Sequence, residues 1–109
     1  VNRVAWEYVG CSYLLAKEME KFKTFLSRAG TFVQGRSLPV HFQEAALVLA
    51  VEDLSVLDRV AVRSEIVQRY KQFQKDILKL KNSSDGLSWL YLQYGDTFWF
   101  YYYCKKLNG

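Results

Sequence analysis

Side chains able to do covalent, metal or acid–base chemistry are few in this sequence, and their spacing argues against all three. His41 is the single histidine. A metal site would have to be completed by scattered cysteines and carboxylates, without an i, i+4 ligand pair on one helix face. A solvent-facing histidine near a helix start is the expectation instead. Cys11 and Cys104 stand near opposite ends of the sequence, too few for a disulfide framework and wrongly spaced for a zinc motif. They read as small core residues; a bridge between them, which needs an oxidising compartment, is the minor reading. Cys11 falls on an apolar helix stripe, where a thiol is usually inert packing rather than a nucleophile. Glu18 with Glu20, and Glu52 with Asp53, are neighbouring carboxylates, but residues one or two apart on a helix point in different directions. The glycines at 30 and 35 lack the Lys-Ser/Thr context of a phosphate-binding loop. The sequence therefore predicts no catalytic residue, no metal and no cofactor, in a protein that binds rather than catalyses.

Two patterns point to binding. Nine of the eighteen aromatic residues lie between Trp89 and Tyr103, and six are consecutive from Phe98. On a strand, alternate rings would face outward, so that Trp99, Tyr101 and Tyr103, followed by Lys105 and Lys106, form a partner-binding face. On a helix most of the rings would be core. The second pattern is Lys71, Lys75 and Lys79, which share one helix face with Gln68, Gln72 and Asn82 and are spaced to follow phosphates. A solvated helix surface explains the same stripe. The net charge of +4 is small for a dedicated nucleic-acid binder, so nucleic acid stands as the alternative partner.

The elements that would carry these residues are mostly helical. Apolar residues at Val4, Tyr8, Cys11, Leu15, Phe22, Phe25 and Ala29 recur three or four apart, broken only at Glu18. Arg3, Glu7, Lys17, Lys21, Thr24 and Arg28 form the opposite stripe. The pattern predicts one long amphipathic helix over 3–29, closed by Ala29-Gly30, then a loop or very short strand over 31–36. A second helix over 39–52 opens on Pro39, with Ser37 as its cap. Its run from Ala45 to Val51 is apolar on every side, which places it at the centre of the fold. A third helix over 55–81 opens on Ser55 and Asp58 as a capping box. Its core seam is Ile66, Tyr70, Phe73, Ile77 and Leu80, and Lys81 to Gly86 form a loop.

For the last segment the sequence predicts a β-hairpin, 87–94 and 97–104, turning on Gly95-Asp96, with glycine supplying a positive φ. Leu90 would face Tyr101 across it, and Leu92 would face Trp99. The alternative is an all-α four-helix bundle with a broken fourth helix.

Length and composition fit one folded domain over 1–109, with half the residues apolar. No internal repeat or linker divides it. No signal-peptide pattern opens the sequence, and Ser88, Gln93, Gly95 and Asp96 interrupt the apolar stretch from Leu87 to Cys104, so no membrane span is expected. A soluble intracellular protein is favoured. The reading is a mainly α interaction domain that docks a protein partner or a second copy through its C-terminal aromatic face. In the alternative it binds nucleic acid, because helix two, a turn, helix three and a terminal hairpin resemble a winged helix in element order.

Overall fold

Asn2 opens the first helix, α1 (Arg3–Leu15), by accepting the amide hydrogens of Val4 and Ala5 at 2.9 and 3.2 Å, which satisfies two of the donors that a helix start leaves unpaired. The chain is seen in a computed structural model that describes residues 2–28 and 38–104. It divides into two compact units, residues 1–62 and 63–109. Every regular element among the described residues is helical, and none is a strand. None of these helices is long and apolar enough to cross a membrane.

The first unit corrects the expected 3–29 helix, which is two helices. α1 ends where Lys17 takes φ 57°, a left-handed conformation that a non-glycine residue adopts only at some strain. The amide of Lys17 donates to the Leu14 carbonyl and that of Glu18 to the Tyr13 carbonyl. These two bonds make the reversal that usually ends a helix on glycine. α2 (Met19–Ser27) then folds back on α1, with Arg28 at its C-terminal cap; Gly30 and Ser37 lie outside the described residues. α3 (Val40–Ala50) starts after Pro39, and its nine residues from Phe42 to Ala50 are all buried, as its all-round apolar run requires. Gln43 joins this interior by donating to the Leu38 carbonyl at 2.8 Å.

The expected 55–81 helix also starts later. Leu54–Asp58 is a short 3-10 helix capped by Asp53, not by Ser55, and α4 (Ser64–Leu80) begins after an extended Arg63. Ser55 spends its amide and hydroxyl on Asp53, so no capping box forms.

The second unit overturns the hairpin. Residues 84–104 form α5 (Ser84–Tyr94) and α6 (Phe98–Tyr103), so the all-α alternative with a broken last helix fits. Gly95 has φ −61° and supplies no positive-φ turn. Two hydroxyls decide the local structure. Ser83 accepts the Gly86 amide at 2.9 Å to start α5. Buried Thr97 donates to the Tyr94 carbonyl at 2.7 Å and accepts the Phe100 amide at 3.1 Å, joining the end of one helix to the start of the next. A lone two-stranded hairpin is marginal in water, whereas each helix satisfies its own backbone and can bury rings on several sides. With no strand and no hairpin, the winged-helix likeness in element order lapses.

Candidate interaction surface

Of the three aromatic residues expected to form a docking face, one is fully buried and two are half-buried. Trp99 is 0% exposed, its ring centroid 5.0 Å from Tyr70 and 6.1 Å from Phe73. Tyr101 and Tyr103 are half-buried. The Tyr103 hydroxyl lies 3.4 Å from that of Tyr70, whose own ionisation is pushed far above the ordinary tyrosine value by burial first and by this contact second. Lys105 and Lys106 lie outside the described residues. α6 thus works as a plug of rings against α4.

A polar clasp holds α5 on the same helix. Tyr94 donates to Asp76 at 2.6 Å. Arg69 reaches Asp96 and the Gln93 carbonyl, each at 2.8 Å, while its guanidinium stands 5.7 Å from the Tyr94 ring. Lys71, Lys75 and Lys79 are all exposed, on the face opposite the buried Ile66, Tyr70 and Phe73.

The chemistry-bearing residues do not assemble. Among the described residues no three His, Cys, Asp or Glu side chains come together as a metal site. His41 is exposed at the first turn of α3, its Nδ1 2.7 Å from Oε1 of Glu44, whose side chain is 3% exposed. Both cysteines are free. Cys104 is buried as expected, but Cys11 is exposed, a correction to its reading as core. Partial burial first, and the Glu7 carboxylate second, raise its pKa, so it stays a thiol rather than an activated thiolate.

Cys11 belongs to the feature that the sequence placed on the wrong side. Val4 is 78% exposed, Tyr8 75% and Leu15 69%. With Cys11 between Tyr8 and Leu15, they form the stripe expected in the core, and it faces out. The inner face of α1 is instead Trp6, Gly10, Tyr13 and Leu14. The Trp6 ring stacks on Phe25 at 4.8 Å and meets Phe42 edge-on at 5.6 Å. Gly10 has no side chain, and that lets Phe25 and Phe42 close onto the α1 backbone.

The exposed half of α1 with its two caps comprises Asn2, Val4, Ala5, Tyr8, Val9, Cys11, Ser12, Leu15 and Ala16, and carries no charge. Arg3 and Glu7 on α1, and Lys17 and Glu18 beyond its end, bound it. Arg3 and Glu7 pair with each other at 3.3 Å, and Glu18 bonds Lys21 at 3.1 Å past the helix end.

A family model matches residues 1–105. The chain belongs to that family, DUF6057, a family of unknown function. The match runs through both compact units, so the outward stripe of α1 and the ring-filled α4–α6 unit both lie within the family region. No curated protein and no solved structure matches the chain.

The sequence missed this surface because it carried one periodicity across Glu18. The departure at that residue was the available signal. A helix break there uncouples the phase of Val4, Tyr8, Cys11 and Leu15 from that of Phe22 and Phe25.

Proposed function

We propose that the chain is a non-enzymatic protein-interaction domain whose docking face is the outer side of α1. One observation carries the reading: a helix half of nine residues, with three large apolar side chains each more than two-thirds exposed and no charge among them. Water disfavours such a contiguous apolar surface, and on a soluble domain it marks a contact site. A lipid surface fits less well, because helices that lie in a bilayer interface are rich in Lys and Arg on their polar face, and α1 has only Arg3, which pairs with Glu7. Of the C-terminal rings, Phe98, Trp99 and Phe100 are buried within their own unit.

Cys11 provides the test. Maleimide labelling of Cys11 is compared between dilute purified protein and cells expressing the full chain, with buried Cys104 as internal control. The expected result is labelling of exposed Cys11 ahead of buried Cys104 in the dilute protein and at least tenfold protection of Cys11 in cells. Equal rates would reject the reading.

A second reading, nucleic-acid binding, rests on Lys71, Lys75 and Lys79, which stand exposed in line on α4 and form no ion pair with another described residue. Three phosphate contacts predict a log–log salt slope of about −3. Affinity that is absent at low salt, or unchanged by the triple Lys→Gln variant, rejects it.

A further inference from the structure

We infer that the groove between α1 and α2 binds a short apolar peptide of three or four residues as a zwitterion, its ammonium group at Glu20 and its carboxylate at Arg28. This site is separate from the outer face of α1 and stands on its own observations. Between the two helices lies a cavity of about 460 Å³, lined by three rings, Trp6, Tyr13 and Phe25, and by the polar side of α2 from Glu20 to Arg28. Ligand pockets occupy about 300–1,000 Å³ and combine apolar walls with a few placed polar groups. Trp6 and Tyr13, two turns apart, share one side of α1. Phe25, drawn in against Gly10, meets Trp6 at 4.8 Å and Tyr13 at 6.0 Å. All three rings are half-buried, so each keeps surface that an apolar ligand would take from water.

The charges select the occupant. Lys21 is bonded to Glu18 at 3.1 Å. Glu20 and Arg28 also line the cavity, and neither forms a salt bridge with another described residue. Charges on the neighbouring turns are spent elsewhere: Arg3 pairs with Glu7 and Lys23 with Asp53, while Lys17 does not line the cavity. Because α2 folds back on α1, the two helix dipoles oppose each other and leave the side chains to set the polarity of the groove. One end is therefore negative and the other positive. Eight residues of helix separate Glu20 from Arg28 by about 12 Å. An extended chain covers about 3.3–3.6 Å per residue, so three or four residues carry a free ammonium and a free carboxylate across that distance. A single amino acid is too short to reach both ends, and a simple anion would leave Glu20 without a partner. The Arg28 guanidinium matches a carboxylate with paired donors, and the rings between the two ends face the apolar side chains.

Calorimetric titration of the full chain with trileucine, its N-acetyl derivative and its C-terminal amide tests the site. Trileucine should bind saturably at a single site. Glu20 and Arg28 are exposed, and an exposed ion pair is worth up to about fivefold in affinity, so blocking either end should weaken binding by about two- to fivefold. Arg28→Gln should bind the amide as well as the free peptide while still discriminating against the acetyl derivative. Glu20→Gln should show the converse. Tyr8→Glu, on the outer face of α1, should leave all these affinities unchanged. Absence of saturable trileucine binding overturns the inference. So does equal binding of the free and blocked peptides, or a sensitivity to a blocked end that survives loss of the residue assigned to it. Sensitivity to the amide alone would make the occupant the C-terminus of a longer chain and would overturn the zwitterion.

Discussion

Replacing Gly10 by alanine perturbs the contact on which the first unit is built. A methyl group at that position would stand 2.7 Å from Cε2 of Phe25 and closer still to Cζ of Phe42. Carbon atoms settle at about 3.5–4.0 Å, so a ring or a helix must move by about 1 Å. Phe25 is partly exposed, but Phe42 has no free space. Phe42 is completely buried and meets Trp6, Phe22 and Phe25 at centroid distances of 5.6, 5.3 and 6.0 Å. Overpacking of this kind costs about 1–3 kcal/mol, while alanine recovers up to about 1 kcal/mol in helix propensity. With the full propensity gain the expected net loss is about 0–2 kcal/mol. Urea titration followed by far-UV circular dichroism should show a lower midpoint at unchanged slope, with Tm falling by about 4–8 °C per kcal/mol for a unit of this size. Phe42→Leu introduced into the alanine background should cost less than it does alone, because the two positions share one space. A midpoint raised by Gly10→Ala, or strictly additive costs in the double variant, would refute the role of Gly10 as the contact point.

Other changes probe the helix break and the two polar clasps. Lys17→Gly should stabilise the first unit by about 0.5–1 kcal/mol, since it removes left-handed strain of about 1–2 kcal/mol and returns part of that as unfolded-chain entropy; a lower Tm would contradict the strain. Asp53 is held at about 2, below its ordinary 3.8, first by its hydrogen bond to Lys23, 2.6 Å away, and then by Ser55. A carboxylate depressed on folding adds stability that is complete above pH 4 and lost as pH falls towards 2. Asp53→Asn should flatten acid unfolding in that window, measured by circular dichroism, and an unchanged acid profile would count against the clasp. Tyr94 is pushed up to about 12 from 10.0 by burial and then by its bond to Asp76. A group raised on folding contributes stability that is complete below pH 10 and lost as pH climbs towards 12. Tyr94→Phe should therefore lower stability at neutral pH yet weaken the alkaline dependence, read by urea midpoints at pH 8 and pH 11.

Much of the helix content was legible in the sequence, and so was the reason for each correct element. The run from Ala45 to Val51 is apolar on every side, and α3 is accordingly buried from Phe42 to Ala50. The seam of Ile66, Tyr70 and Phe73 is buried, with Tyr70 and Phe73 packed on Trp99 of α6, and Lys71, Lys75 and Lys79 take the opposite side. These are properties of a 3.6-residue period within one unbroken helix, where facing follows from spacing alone. His41 at an exposed helix start was readable for the same reason. The candidate surface was not, because its outward phase depends on a break that a single periodicity does not reveal.

What the sequence by itself determined was therefore the existence of most helices, the all-round burial of α3 and the inner and outer sides of α4. Tertiary structure decided three things. It turned the Gly95–Thr97 junction into a helix-to-helix splice, because the Thr97 hydroxyl can cap only once the Tyr94 carbonyl and the Phe100 amide both converge on it. It sent Trp99 inward, because Tyr70 and Phe73 from α4 offer rings to pack on, whereas an isolated aromatic run reads equally well as a strand. And it turned Val4, Tyr8, Cys11 and Leu15 outward, because a left-handed Lys17 lets α2 close over Trp6 and Gly10. Local spacing records which residues share a helix face; which face meets the core is decided by residues far away in the chain.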